Sequence, residues 1–276
     1  LIDSVQDWGR DITLTNYLVS SGRTDRGDVY NAPYSEMAWI TGSVPADSAF
    51  ALRASISDPP LALVKKLDAV MRSSGIRIDG LPSSFRVPLD RSAGQEVAKT
   101  LSPALAEIVR VTNHESVNMY AEALRKHLGY KMLGQGTFSA GSAVIKQFLD
   151  SIGCEPYEAV MLDGSGLSSN NNISALMTVR LLVYMNNSSC AGTFISSLPE
   201  GAVSGTMKNY FRDQLFKGRV VAKTGTITSA KSFAGYFTTM GGRRIAFTTF
   251  ANGFNVPSRT ITDYMECLVK EVLLKY

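Results

Sequence analysis

Apolar and polar positions change their rhythm twice along the chain. From residue 1 to about 57, short apolar stretches such as Ile12 to Val19 and Ala38 to Val44 alternate with turn signals, Ser20-Ser21-Gly22 and Pro45 among them. That pattern predicts a β-rich region. Asp58-Pro59-Pro60 then offers a helix cap and a proline-led start, and Leu63, Leu67, Val70 and Met71 follow at helical spacing until Gly75. A short strand is expected over Ile76 to Ile78. Residues 80 to 98 are irregular and rich in Pro, Ser and Gly, so a domain boundary is placed near their end, dividing the chain into 1–97 and 98–276.

Beyond the boundary the period becomes helical. Ser102-Pro103 reads as cap and first residue of a short helix with Leu105, Ile108 and Val109 on one face. A second helix is expected from about Ser116 through Tyr120, Leu124 and Leu128 to a left-handed stop at Gly129. A third spans Ser139 to Ile152, and Ser174 caps a fourth through Val183 and Tyr184. Then the period falls to two. Arg219 to Lys223, Ser232 to Thr239 and Arg243 to Ala251 read as strands, the last two joined across Gly241-Gly242. A closing amphipathic helix carries Ile261, Tyr264, Met265, Leu268, Val269 and Val272. Helices, an antiparallel meander and a final helix make an α+β fold, a sheet with helices on its faces.

Composition removes several classes of function. With 45% apolar and 19% charged residues among 276, the chain is not disordered throughout. A net charge of +4 without a Lys/Arg run gives no nucleic-acid footprint. No apolar stretch approaches the ~20 residues of a membrane-spanning helix. Cys154, Cys190 and Cys267 are widely spaced and joined only by His114 and His127, so no metal site is expected, and Cys267 reads as a small buried residue of the last helix. The first residues are Leu1-Ile2-Asp3 rather than Met, which reads as a cut or a processing site.

Lys223-Thr224-Gly225 is the first feature that does not read as structure alone. It ends a strand with a cation, a hydroxyl and a residue without a side chain, which suits capture of a carboxylate by a strand edge. Ser116-Val117-Asn118 lies at a helix start about a hundred residues earlier. Ser168-Ser169-Asn170 fits the same S-x-N pattern, so that pattern gains meaning only from its order relative to Lys-Thr-Gly. Asp163 stands where a nucleophile elbow would need glycine, so Gly164-Ser165-Gly166 reads as a cleft rim or, equally, as a purely structural turn.

These motifs, with Ser102-Pro103-Ala104-Leu105-Ala106-Glu107-Ile108-Val109, Asn118-Met119-Tyr120-Ala121-Glu122, Asp163-Gly164-Ser165-Gly166-Leu167-Ser168, Leu198-Pro199 to Gly205-Thr206-Met207 and Lys223-Thr224-Gly225-Thr226, resemble the class C low-molecular-mass penicillin-binding proteins, peptidase family S13. Thr41-Gly42-Ser43-Val44-Pro45 and the helix after Asp58 resemble that family's inserted domain. The resemblance implies a penicillin-binding-protein/β-lactamase-like transpeptidase fold, N-terminally incomplete, preceded by part of a β-rich inserted domain. It implies serine-type D-Ala-D-Ala carboxypeptidase or endopeptidase chemistry on peptidoglycan stems outside the cytoplasm, without a cofactor and without nucleic acid. Peptides ending in D-Ala-D-Ala and β-lactam antibiotics are the expected ligands.

By the same resemblance Ser116 relays a proton, Asn118 holds the substrate amide, and Lys223 supplies positive potential. Thr224, Gly225 and Thr226 receive the terminal carboxylate, the Thr226 N–H is an oxyanion donor, and Ser165 and Leu167 touch substrate. Two departures stand out. No serine lies three residues before any lysine, so the family's S-x-x-K is absent, and Ser169 stands where the family loop usually has Arg. The nucleophile is therefore expected in an N-terminal segment of the same protein, in one chain or a companion chain, with this fragment inactive by itself. The alternative is a non-catalytic peptidoglycan-binding descendant.

Overall fold

The computed structural model describes residues 12–46, 51–52, 54–84 and 94–276. The chain divides into two compact units, Leu1–Lys99 and Thr100–Tyr276. In the first, β1 (Thr13–Asn16) and β2 (Val19–Ser20) run parallel to β4 (Met37–Val44), and β3 (Arg26–Asn31) pairs antiparallel on its other side. Alternation puts Ala38 and Ile40 of β4 inside, while Trp39 stacks on its cross-strand partner Tyr30 on the opposite face. Asp58 caps α1 (Pro59–Ser73), accepting from the Leu61 N–H at 3.1 Å as its sequence foretold. The expected apolar face is not a buried one: Leu63, Leu67 and Val70 are exposed and Ala62 is the buried residue of α1. Ile76 to Ile78 form no strand. The boundary segment has no regular structure at 80–84 and 94–98, and the rest of it lies outside the described residues.

The second unit begins with α2 (Leu105–Glu115), capped by Ala104 rather than Ser102, then α3 (Asn118–Leu133) and α4 (Phe138–Ser151). Gly129 does not end α3. The helix runs on to a left-handed Gly134, and Gly129 is instead the point where α3 touches α4: a Cβ there would stand 2.7 Å from the Gly141 nitrogen. Two-residue strands β5 (Ala159–Val160) and β6 (Asn172–Ile173) bracket a polar loop. Ser174 caps α5 (Ala175–Asn187) as expected, and α6 (Ala191–Ser197) follows.

The sheet is an antiparallel meander of β7 (Val220–Ile227), β8 (Ala230–Thr238) and β9 (Arg244–Asn252), closed by α7 (Ser258–Lys275). On one face, Phe211, Phe216, Val220, Ala222, Phe233 and Phe237 pack with Met265, Val269 and Leu273 of α7. On the other, Val221, Ala234 and Tyr236 meet Leu182 of α5 and Ile195 and Leu198 around α6. The face of α7 is rotated from the expected one: Thr262, Met265, Val269 and Leu273 are buried, whereas Tyr264, Leu268 and Cys267 are exposed. The expected α+β architecture, a sheet between helical layers, is what forms.

Candidate active site

The site grows from the alternation of β7. Val220 and Ala222 enter the core on the α7 face, so Val221 and Lys223 point to the opposite face. Backbone groups alternate in the same way between strand edges. Over the first half of β7 the outer edge is covered, because Ala222 N–H donates to the Pro199 carbonyl at 3.1 Å and Gly201 N–H donates to that of Val220 at 3.0 Å. The covering segment then turns back at Ala202, whose φ is 61°. By parity the N–H and C=O groups of Thr224 and Thr226 face the same outer edge beyond that turn. Neither N–H finds a backbone acceptor among the described residues.

Ser116 comes to this edge from the junction of α2 and α3. It is not the start of a helix but the left-handed end of α2, at φ 56° and ψ 49°. A non-glycine residue there costs about 1–2 kcal/mol, so its surroundings must hold it. They do so on two sides. Asn113 donates to the buried Ser197 at 2.8 Å, and Gly205 packs so closely that a Cβ on it would lie 2.3 Å from the His114 carbonyl. His114 itself meets Glu115, at 2.8 Å from Nδ1.

Lys223 Nζ donates to Ser116 Oγ at 2.7 Å and to the Thr224 carbonyl at 2.6 Å. An ammonium has no lone pair, so the Ser116 oxygen is the acceptor and its own O–H is free to point elsewhere. The third Nζ proton meets no acceptor among the described residues. Burial lowers the Lys223 pKa below the ordinary lysine value. Gly225 faces Ser232 across the hairpin: an added Cβ would meet Ser232 Oγ at 2.4 Å. On the sheet face of Val221 lies a cavity of about 500 Å³ lined by His114, Ile195, Leu198, Glu200, Val221 and Arg244 among others; neither Ser116 nor Lys223 lines it.

Asn118 opens α3, exposed and making no side-chain hydrogen bond among the described residues. One turn along the same helix face is Glu122. Its Oε1 accepts the N–H groups of Gly164 and Ser165 at 2.8 and 3.1 Å. Arg125, 5% exposed, donates from Nε and Nη2 to Ser142 and from Nη1 to the Leu162 carbonyl at 2.8 Å. Asp163 closes the loop, accepting from Gly166 and Ser168 at 2.6 Å each and from Asn171 at 2.8 Å. Burial alone would raise the Asp163 pKa, but the bonds from Asn171, Ser168 and Gly166 with the Arg125 charge outweigh it and leave the group below the usual aspartate value. Ser165 is thereby pinned to Glu122, with Leu167 60% exposed in the same loop.

The structure thus joins Ser116 to Lys223 at the Thr224–Thr226 edge and ties Ser165 to Glu122, four residues beyond Asn118 on α3. Ser168, of the second S-x-N, belongs to the loop. Sequence pattern did not mark Glu122 and Arg125 as the loop's clamp, nor Lys231 as a buried cation. Yet Lys231 had a legible signal. It shares a strand parity with Phe233 and Phe237, where a charge is out of place.

An antiparallel sheet with helices on both faces, bearing a lysine–serine pair at an open edge strand, is the architecture of the penicillin-binding proteins. The chain belongs to the D-Ala-D-Ala carboxypeptidase 3 (S13) family, which residues 29–272 match. It is 33% identical over 225 residues to a D-alanyl-D-alanine carboxypeptidase of Actinomadura sp. strain R39, covering 79% of this chain and 42% of that protein. It is 25% identical over 210 residues to the D-alanyl-D-alanine carboxypeptidase DacB of Haemophilus influenzae, covering 75% and 43%. The structure of penicillin binding protein 4 from Haemophilus influenzae, solved with a β-lactam, superposes with a TM-score of 0.81 at 21% identity, over 96% of this chain and 64% of that one. The chain spans under half the length of these curated relatives.

Proposed function

We propose that the whole protein is a serine-type D-Ala-D-Ala carboxypeptidase or endopeptidase acting on peptidoglycan stem peptides outside the cytoplasm, and that this chain is the wall of its active site that receives the substrate. The observation that carries this reading is the Lys223–Ser116 hydrogen bond beside the open edge of β7. In the reaction, a serine hydroxyl adds to the carbonyl carbon between two D-alanines. The C–N bond breaks, the leaving amine takes a proton, and water later hydrolyses the ester.

Each residue here has a place in that sequence. The substrate lies as an extended strand against β7, its terminal carboxylate on the hydroxyls of Thr224 and Thr226 with Gly225 between them. Lys223 keeps that end of the cleft positive. Because Ser116 accepts from Lys223, its own proton is available to the departing nitrogen, and Lys223 makes it more acidic. Asn118 holds the substrate amide from the other side, with Ser165 and Leu167 at the rim. The Thr226 N–H, facing the open edge, is one oxyanion donor. The nucleophile is not among these residues, since no Ser precedes a Lys by three. We place it on a segment of the same protein that fills the cavity beside His114 and Val221.

A fluorescent penicillin tests this. The whole protein should carry a denaturation-resistant label, and residues 1–276 alone should not. A stable adduct on these residues would put the nucleophile inside them, and an unlabelled whole protein would favour the non-catalytic, peptidoglycan-binding reading.

A further inference from the structure

Lys231 is 4% exposed, and no carboxylate lies within salt-bridge distance of it among the described residues. Burying an ammonium without a counter-charge is costly, and proteins pair such groups or leave them for a ligand. What surrounds Lys231 is soft. Its Nζ donates to the Tyr210 hydroxyl at 3.1 Å, lies 4.6 Å from the centre of the Tyr210 ring and 5.7 Å from that of Phe233, and stands 3.5 Å from Thr226 Oγ1. Ring faces and hydroxyls stabilise a cation without neutralising it.

The register explains its position. Lys231 on β8 pairs with Thr226 on β7, so both side chains leave the sheet on the same face, the one opposite Lys223. Thr226 is exposed while Lys231 is covered, so the charge sits directly behind the hydroxyl. An anion hydrogen-bonded to Thr226 Oγ1 would lie within about 6 Å of Nζ. The partly buried surroundings would screen that attraction less than water does.

We propose that Lys231 is a second cation of the carboxylate seat, a positioning residue that polarises Thr226 and raises the potential at the β7 edge from the face opposite Lys223. This rests on the carboxylate-binding reading above. The ligand it serves is the terminal carboxylate of a D-Ala-D-Ala peptide.

The test uses this chain and two probes, an Nα-acetylated stem-peptide analogue ending in D-Ala-D-Ala and the same peptide ending in D-alaninamide, each titrated by NMR. Wild type should prefer the acid. Lys231→Met, whose thioether suits the aromatic surroundings, should weaken binding of the acid at least about tenfold and leave the amide unchanged. Lys231→Arg should restore most of the preference. Lys231→Gln, which keeps donors without charge, should behave as Met does and serves where Met disturbs folding by thermal melting. Equal losses for acid and amide, or no loss for either, would show a structural lysine and overturn the proposal. If wild type itself fails to prefer the acid, the carboxylate reading of the strand falls first and this inference with it.

Discussion

Two polar clusters of the C-terminal unit are built from similar parts and differ in what they leave over. Under the loop after β5, every nitrogen of Arg125 donates, Asp163 accepts three hydrogen bonds, and Glu122 ties the loop's backbone to α3. At the edge of β7, among the described residues, Lys223 uses two of its three donors, Ser116 donates to nothing, and the N–H groups of Thr224 and Thr226 face outward. The first cluster uses nearly all of its hydrogen-bonding capacity, Glu122 Oε2 excepted, and acts as scaffold. The second leaves donors without an acceptor among the described residues. Buried charge alone does not distinguish a site from a strut; unused hydrogen-bonding capacity at a surface does.

Removing the cation from each cluster should have opposite effects. Arg125→Met leaves the Glu122 carboxylate without its neighbour, 3.6 Å away, and its Oε2 already lacks a hydrogen-bond partner. Breaking such a buried pair costs about 3–5 kcal/mol, so urea denaturation should show a loss of about that size. A loss under about 1 kcal/mol would mean that the loop does not depend on α3.

Lys223→Met is the counterpart. The depressed pKa of Lys223 means that its contribution to stability is present above the unfolded value and lost as pH falls through the folded one, so at neutral pH the charge is a burden. The variant should melt no lower than wild type, while binding of a D-Ala-D-Ala acid falls about a hundredfold, equivalent to about 3 kcal/mol. Calorimetry alongside titration checks both halves. A large drop in Tm would make Lys223 a strut like Arg125.

The difference between the clusters was only partly legible beforehand. Lys223-Thr224-Gly225 was readable because the period changes to two there and a cation breaks the apolar alternation. Ser116-Val117-Asn118 was readable as a motif but not as a geometry. Serine is a favoured cap, so a helix start was expected, whereas α2 ends in a left-handed Ser116 two residues after His114, on which Gly205 packs. Gly129 misled in the same way: a stop signal and a close-packing residue are spelled alike, and α4 is what decides. The covering of half of β7 by Pro199–Gly201 depends on a contact about twenty residues distant in sequence, which local pattern does not encode. The exposed face of α1 shows the limit from the other side, since helical spacing foretells a face but not what meets it.

Acid and alkali should separate the clusters as mutations do. Asp163 has a folded pKa below its unfolded one, so its stabilisation is complete above the ordinary aspartate value of about 3.9 and fades as pH falls through the folded pKa. Melting followed from pH 6 downward should show this loss, smaller in Asp163→Asn. Lys223 acts at the other end. Its ammonium is lost at a pH below the ordinary lysine value of about 10.4, so affinity for the acid peptide should decline before that pH while stability does not. Arginine at 223, which stays charged, should keep whatever affinity it retains constant across the same range.

The smallest expected effect tests a residue that belongs to both descriptions. Gly225 shares the face of Lys223, yet the atom that a methyl group there would strike is Ser232 Oγ, with Ser232 Cβ at an ordinary 3.8 Å. A hydroxyl can rotate away, so Gly225→Ala should cost about 1 kcal/mol, and adding Ser232→Ala should recover it. If glycine is there only for packing, the double variant should also bind the D-Ala-D-Ala acid as wild type does. If the peptide lies along β7, the methyl group still crowds the face beside Lys223, and binding should stay several-fold weaker after stability has returned. We expect the second result, measured by urea denaturation and titration of the same three proteins. Full recovery of binding would move the ligand off that face and leave the outer edge as its only contact with the strand.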